Sequence, residues 1–93
     1  MKQVTFTIKG VSRQATVTWN GQLIPLIDSG GGNFTGGVQS APGVFVYAIV
    51  VFGAPGDAWS ATVSCAGSST QNFSGHMSPA GNDTTGDTAF RVQ

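Results

Sequence analysis

The chain contains no glutamate, one cysteine and one histidine, and its four basic and four acidic side chains give a net charge of zero. A neutral chain without a basic cluster lacks the electrostatic surface that nucleic acid or an anionic membrane requires, so we expect neither partner. Cys65 has no second cysteine with which to form an intrachain disulfide. One histidine and one cysteine cannot build a zinc site, and we expect no metal and no cofactor.

Few residues are suited to catalysis. His76 is the only histidine, and Ser74 or Ser78 could accompany it, but the sequence has no Gly-X-Ser-X-Gly motif and no reason for a triad to converge. We therefore predict that the protein is not an enzyme. Oxygen ligands between Asn82 and Asp87 leave a calcium loop open as an alternative, although the pattern lacks the terminal glutamate of an EF-hand.

The longest apolar run, from Val44 to Phe52, predicts the fold class. It is rich in Val, Phe, Tyr and Ile, which favours a β-strand, and it is much shorter than the roughly 20 residues of a membrane-spanning helix. A turn at Gly53–Asp57 follows, and then a strictly alternating segment, Ala58–Cys65. This order predicts a buried strand, a tight turn and a half-buried partner strand.

The first third of the chain predicts further strands. Val4, Phe6 and Ile8 alternate with polar residues, and the alternation returns from Ala15 to Trp19. Asn20-Gly21 is a strong signal for a two-residue hairpin turn, which would pair Trp19 with Gln22, Val17 with Ile24 and Ala15 with Leu26. Pro25 cannot donate a ladder hydrogen bond and predicts that this third strand lies at a sheet edge.

The remaining segments alternate between turn signals and short strands. We predict loops at Asp28–Asn33 and Ser78–Gly86, and strands at Phe34–Gln39, Thr70–Ser74 and Asp87–Val92. With no helical periodicity, the pattern predicts one domain over residues 1–93. Its expected fold is all-β, a single antiparallel β-sandwich of immunoglobulin-like or lectin-like type with seven to eight short strands.

A short motif occurs twice. Asn33-Phe34-Thr35-Gly36 recurs as Asn72-Phe73-Ser74-Gly75, and each copy precedes a turn that contains Pro, Ala and Gly. Two equivalent corners, each with an aromatic anchor, explain the repeat most simply, and a duplicated ligand site is the alternative.

The two tryptophans are the strongest candidates for ligand contact. Trp19 precedes the Asn20-Gly21 turn, and Trp59 follows Asp57 at another turn, so each aromatic ring has a polar neighbour near a strand end. An aromatic ring with a nearby carboxylate or amide is suited to binding a sugar. Trp19, Asn20, Asp57 and Trp59 are therefore the predicted ligand-binding residues, although both tryptophans also lie on the apolar faces of their strands.

The predicted function is non-catalytic binding of a carbohydrate or a protein. The loops expected to form the site are Trp19–Gly21, Asp28–Asn33, Ala54–Trp59 and Ser78–Asp87.

A second hypothesis follows from the Val44–Phe52 strand, because both of its faces are apolar while one sandwich face suffices for the core. The other face predicts a homo-oligomer and a rival role as a self-associating structural, assembly or secretion-associated subunit. The N-terminus alternates polar and apolar residues and lacks the apolar core of a signal peptide, which leaves the compartment open.

Overall fold

The computed structural model describes residues 1–68 and 70–93, which form two antiparallel β-sheets packed face to face as a sandwich. In the five-stranded sheet the order is β4-β5-β1-β7-β8, and in the four-stranded sheet it is β3-β2-β6-β9. The strands are β1 Lys2–Lys9, β2 Gln14–Trp19, β3 Gln22–Ile24, β4 Ile27–Gly30, β5 Asn33–Ser40, β6 Gly43–Phe52, β7 Ala58–Cys65, β8 Gln71–His76 and β9 Asn82–Val92.

The predicted all-β sandwich is confirmed, and its immunoglobulin-like or lectin-like subtype stays a prediction. The strand count differs from the expected seven to eight, because the described residues form nine strands. No helix in this part of the chain is long and apolar enough to cross a membrane.

The additional strand lies in the glycine-rich segment that was predicted to be a loop. Ile27 pairs with Thr35, and Asp28 pairs with Phe34, so β4 and β5 form a hairpin. The Asp28 carboxylate accepts a hydrogen bond from the Gly30 amide at 2.8 Å, which holds the end of β4. The prediction was wrong because backbone pairing to β5 forms this strand almost without side-chain packing.

The β2–β3 hairpin has the predicted register at its turn. Trp19 pairs with Gln22 and Val17 pairs with Ile24, while Asn20 has a φ of 49°. The expected pairing of Ala15 with Leu26 is absent from this ladder, because β3 ends at Ile24. The chain then crosses through Pro25 and Leu26 to β4 in the other sheet, and β3 is an edge strand as Pro25 predicted.

The segments β6 and β7 are not partners, which corrects the prediction of a hairpin between them. β6 pairs with β2 and β9, whereas β7 pairs with β1 and β8 in the opposite sheet. The loop Gly53–Asp57 therefore crosses the roughly 10 Å between the sheets. Strand periodicity was read correctly, but a five-residue loop can join strands within one sheet or across two, and the sequence does not distinguish these.

The core fills the space between the two inner faces. Its largest fully buried side chains are Phe6, Phe90, Ile8 and Ile49. Strand β6 contributes Tyr47, Ile49 and Val51 to this core, and the alternate residues of β6 face outward.

Backbone hydrogen bonds join the loops at one end of the sandwich. The Gly53 amide donates to the Gly81 carbonyl at 2.9 Å, and the Met77 amide donates to the Asp57 carbonyl at 2.8 Å. The Gly56 amide also donates to the Met77 carbonyl at 3.0 Å. These bonds fix the loop between β6 and β7 against the loop between β8 and β9, so the two sheets are held together at this end.

Two glycines with the same backbone conformation allow this contact between the loops to be tested. Gly21 and Gly81 have φ angles of 79° and 80°, but a Cβ on Gly81 would lie 2.6 Å from the Gly53 carbonyl oxygen, whereas one on Gly21 would meet no atom within 4 Å. We expect Gly21→Ala to lower the free energy of unfolding by about 1–2 kcal/mol from the left-handed conformation alone. Gly81→Ala should lower the free energy of unfolding by roughly 1–3 kcal/mol more, because its Cβ would displace the backbone at Gly53. Urea unfolding of both variants measures the difference, and equal losses would contradict the close contact.

Candidate functional site

The candidate site is a groove along one side of the sandwich, where the edge strands β8 and β9 face each other. We call it the edge groove. Strand alternation directs polar side chains of β8 and β9 into it, while its floor consists of core side chains. It encloses about 340 Å³ and is lined by Tyr47, Ile49, Ala61, Val63, Gln71, Asn72, Phe73, Thr85, Gly86 and Asp87.

One hydrogen-bonded chain crosses the groove from the core to β9. The Tyr47 hydroxyl donates to the Gln71 side-chain oxygen, and the Gln71 side-chain amide donates to Asp87 Oδ2 at 2.6 Å. Asp87 Oδ1 accepts a hydrogen bond from the Ala89 amide at 2.9 Å. Asp87 therefore connects the edge of the four-stranded sheet to a side chain of the five-stranded sheet.

A second aspartate repeats this arrangement four residues earlier on β9. Asp83 Oδ2 accepts the indole N–H of Trp59 at 2.9 Å, and Oδ1 accepts the Thr84 amide at 2.9 Å. Gly75 leaves room for this carboxylate, because a Cβ there would lie 2.7 Å from Asp83 Oδ2. We refer to Asp83 and Asp87, with these bonds, as the aspartate clips.

The pKa values of two groups follow from this geometry. The hydrogen bond from Gln71, followed by that from the Ala89 amide, lowers the pKa of Asp87 below its usual value. Burial, followed by the negative charge of Asp87, raises the pKa of Tyr47. Near neutral pH the groove thus contains an ionised carboxylate and a neutral phenol that donates a hydrogen bond.

An aromatic ring lies beside these polar groups. Phe73 is half-buried, and its ring centre is 5.0 Å from that of Trp59 with the planes tilted by 46°. Phe73 covers the buried tryptophan on one side and lines the groove on the other.

The four predicted ligand-binding residues do not form one site. Trp19 and Asn20 lie at one end of the sandwich, and Asp57 and Trp59 lie at the other end. The amide of Asn20 donates to the Val46 carbonyl at 2.7 Å, and its Oδ1 accepts the Val46 amide at 3.0 Å, so this side chain supports the turn.

Both tryptophan rings belong to the core. Trp19 is only 6% exposed and stacks on Phe45 with ring centres 5.1 Å apart, while Trp59 is 3% exposed. Neither ring therefore presents a free face on which a sugar could stack. Both residues occupy inward positions of alternating strands. Their aromatic rings, which made them candidates for ligand contact, are buried in the core instead. Trp59 contributes to the groove region through its N–H bond to Asp83 and by supporting the ring of Phe73.

The segment Asn82–Asp87 is part of β9 rather than a loop, which corrects both the predicted loop to Gly86 and the calcium alternative. Strand alternation directs Asp83 inward and leaves Asn82 exposed, and Asp83 and Asp87 are about 13 Å apart along the strand. Such ligands do not converge on one cation. Among residues 1–68 and 70–93, no three His, Cys, Asp or Glu side chains could hold a metal ion together. His76 is exposed at the end of β8.

Three of the four predicted binding loops lie at the same end of the sandwich, and the Trp19–Gly21 turn lies at the other. Of the residues that line the edge groove, Thr85, Gly86 and Asp87 lie within the predicted Ser78–Asp87 binding segment, and the others were missed by the sequence analysis. Two signals could have identified them: the spacing of Asp83, Thr85 and Asp87, which is that of one face of a strand, and the repeated Asn-Phe-Ser-Gly motif around Phe73. Placing residues 78–86 in a loop concealed the first signal.

The single tyrosine of the chain makes the hydrogen-bonded chain directly measurable. Because burial and the charge of Asp87 raise the Tyr47 pKa, we expect the ultraviolet absorbance of the phenolate to appear with a midpoint above 10 in the folded protein. Asp87→Asn should lower this midpoint while leaving it above 10, since burial remains. Circular dichroism of the same samples checks the fold, and urea should return the midpoint to the ordinary tyrosine value. An unchanged midpoint in Asp87→Asn would contradict the coupling.

Asp87 should also make the free energy of unfolding depend on pH in the acidic range. The pKa of Asp87 in the folded state lies below the value of about 3.9 in an unfolded chain. Its contribution to the free energy of unfolding is therefore complete above about pH 3.9 and is lost as the pH falls through the folded-state pKa. We expect the stability of Asp87→Asn to fall less steeply below about pH 4 than that of the wild type. Urea unfolding between neutral and acidic pH measures the slopes, with Asp57→Asn at an exposed loop position as the control. Identical slopes for Asp87→Asn and wild type would refute this role.

The chain was compared with protein families, with curated proteins and with solved structures. No family model, no curated protein and no solved structure matches it. A β-sandwich is compatible with many functions, so the function is inferred from the chemistry of the edge groove.

Proposed function

We propose that the protein is a non-catalytic binding module that holds a short saccharide in the edge groove. The observation that carries this proposal is the ionised Asp87, joined to Gln71 and Tyr47, next to the half-buried ring of Phe73. Hydrogen-bonding groups beside an aromatic ring match the two kinds of surface that a sugar presents.

Each group in the groove has a role toward a sugar. The Asp87 carboxylate can accept hydrogen bonds from hydroxyl groups through its remaining lone pairs, and Gln71 has a second amide hydrogen to donate. Thr85 supplies a hydroxyl that both donates and accepts. Phe73 provides an apolar surface for the C–H face of a sugar ring. The volume of about 340 Å³ lies at the small end of the range for ligand pockets, which favours a short saccharide.

The charge of the groove favours a neutral ligand. Its described lining includes no lysine, arginine or histidine, and Asp87 is ionised. A phosphate or another anion would meet this negative charge without a compensating cation, whereas a neutral sugar can use the carboxylate as an acceptor.

Binding without cleavage is supported by the two aspartates. Glycosidases use two carboxyl groups about 5–9.5 Å apart, one of them with a raised pKa. Asp83 and Asp87 are about 13 Å apart along β9, and the pKa of Asp87 is lowered. Asp83 is also committed to the Trp59 indole and the Thr84 amide.

The test is a glycan array, followed by calorimetric titration of the glycans that are retained. Replacing the charged acceptor in Asp87→Asn should weaken binding roughly 10- to 100-fold. Thr85→Val keeps the shape of the side chain but loses its hydroxyl, and should weaken binding several-fold.

Thr7→Val is the matched control, because Thr7 faces outward on β1, on the far side of the five-stranded sheet. Its affinity should equal that of the wild type, and circular dichroism should show all three variants folded. Retention of no glycan, or equal binding by Asp87→Asn and wild type, would overturn the proposal. If the wild type instead captures a protein and the two groove variants capture it less well, the ligand would be a protein, which is the other class predicted from the sequence.

A further inference from the structure

The outer face of the four-stranded sheet carries an uninterrupted apolar row. All five outward positions of β6 are apolar: Val44, Val46, Ala48, Val50 and Phe52. Val44, Val46 and Phe52 are 55%, 46% and 37% exposed, although β6 is an inner strand of its sheet. Exposed apolar rows on a central strand are typical of surfaces that pack against another protein.

The neighbouring strands extend this surface with few charges. Thr18 of β2 lies beside Ala48 on one side and Gly86 of β9 lies on the other, while Leu23 of β3, next to Thr18, is 68% exposed. The hydroxyl of Thr84 donates to the Ile49 carbonyl at 3.0 Å, so burying this hydroxyl in an interface does not leave its proton without an acceptor. Arg91, beside Val44, adds one charge to this face.

We propose that this face binds the same face of a second copy of the chain. A two-fold axis across the strands at Ala48 would place Ala48 over Ala48, Val46 over Val50 and Val44 over Phe52. The same residues of each copy then meet across the axis, as an isologous contact requires.

The shape of the face at the two ends of β6 fits the same arrangement. Arg91 pairs with Val44 at one end, and Asn82 pairs with Phe52 at the other, so the axis brings Arg91 of one copy over the Asn82 end of the second copy. A depression of about 390 Å³ lies there, lined by Val50, Phe52, Ser78, Asn82, Asp83 and Thr84. Val44 would enter this depression and contact Val50 and Phe52 of the second copy.

The area of the face fits a weak dimer. The four strands contain 30 residues, and at about 3.3 Å of length and 4.8 Å of width for each residue they give a surface of roughly 475 Å² per copy. Two copies would bury about 1,000 Å² in total, which is the lower limit for a specific interface. The edge groove opens sideways between β8 and β9 and stays accessible, with both grooves on the same side of the dimer.

Sedimentation velocity over a concentration series tests the proposal. The wild type should shift from a 9.5-kDa species to one of twice that mass as its concentration rises toward about 1 mM. Val46→Asp places a charge near the centre of both copies and should lower the association constant at least about tenfold. Val46→Thr keeps the β-branched shape and should weaken association to a smaller extent.

Thr7→Asp is the matched control, since it makes the same change in net charge at an outward strand position of the other sheet. It should dimerise like the wild type. A wild type that stays monomeric at about 1 mM would overturn the proposal. Association that survives Val46→Asp, or that Thr7→Asp abolishes to the same extent, would also overturn it, because another surface or the net charge would then govern association.

Discussion

The aspartate clips are the interaction on which the sandwich depends along its open side. On the opposite side β3 continues through Pro25 and Leu26 directly into β4. Strands β8 and β9 are joined by a longer loop at one end, and along their length side chains provide the connection: Asp83 holds the Trp59 indole, and Asp87 holds Gln71. Each carboxylate also satisfies an amide of its own strand. The buried indole N–H thereby obtains the partner that its removal from water requires.

The same residues give the groove both its shape and its chemistry. A side of the sandwich closed by apolar side chains would have no cavity, whereas the chain of Tyr47, Gln71 and Asp87 spans the gap and leaves space above the core. Because the carboxylate of Asp87 accepts hydrogen bonds from two directions, the protein itself fixes its orientation. Such preorganisation lowers the entropic cost of binding. The structural role of Asp87 and its proposed role toward a sugar therefore support each other.

Much of the fold could be predicted from local patterns. The features that were missed depend on contacts between residues that are distant in the sequence. Alternation identified β1, β2 and β7, and Asn20-Gly21 gave the register of the β2–β3 hairpin. Periodicity carries no information about which sheet a strand joins, so β6 and β7 were paired incorrectly. The site was missed for the same reason: Trp19 and Trp59 stood out as aromatic residues near turns, but their burial depends on strands distant in sequence. The groove forms only when β8 and β9 meet across the sandwich, which no local pattern specifies.

Strand β9 is an 11-residue sheet edge without lysine or proline, the residues that commonly prevent edges from pairing with other chains. Asp83 and Asp87 protect this edge instead, because their carboxylates accept the hydrogen bonds of the Thr84 and Ala89 amides. Without these two carboxylates the amides would be free, and β9 would offer a template on which strands of other molecules could add. The groove residues would thus also protect the monomer from edge-to-edge polymerisation.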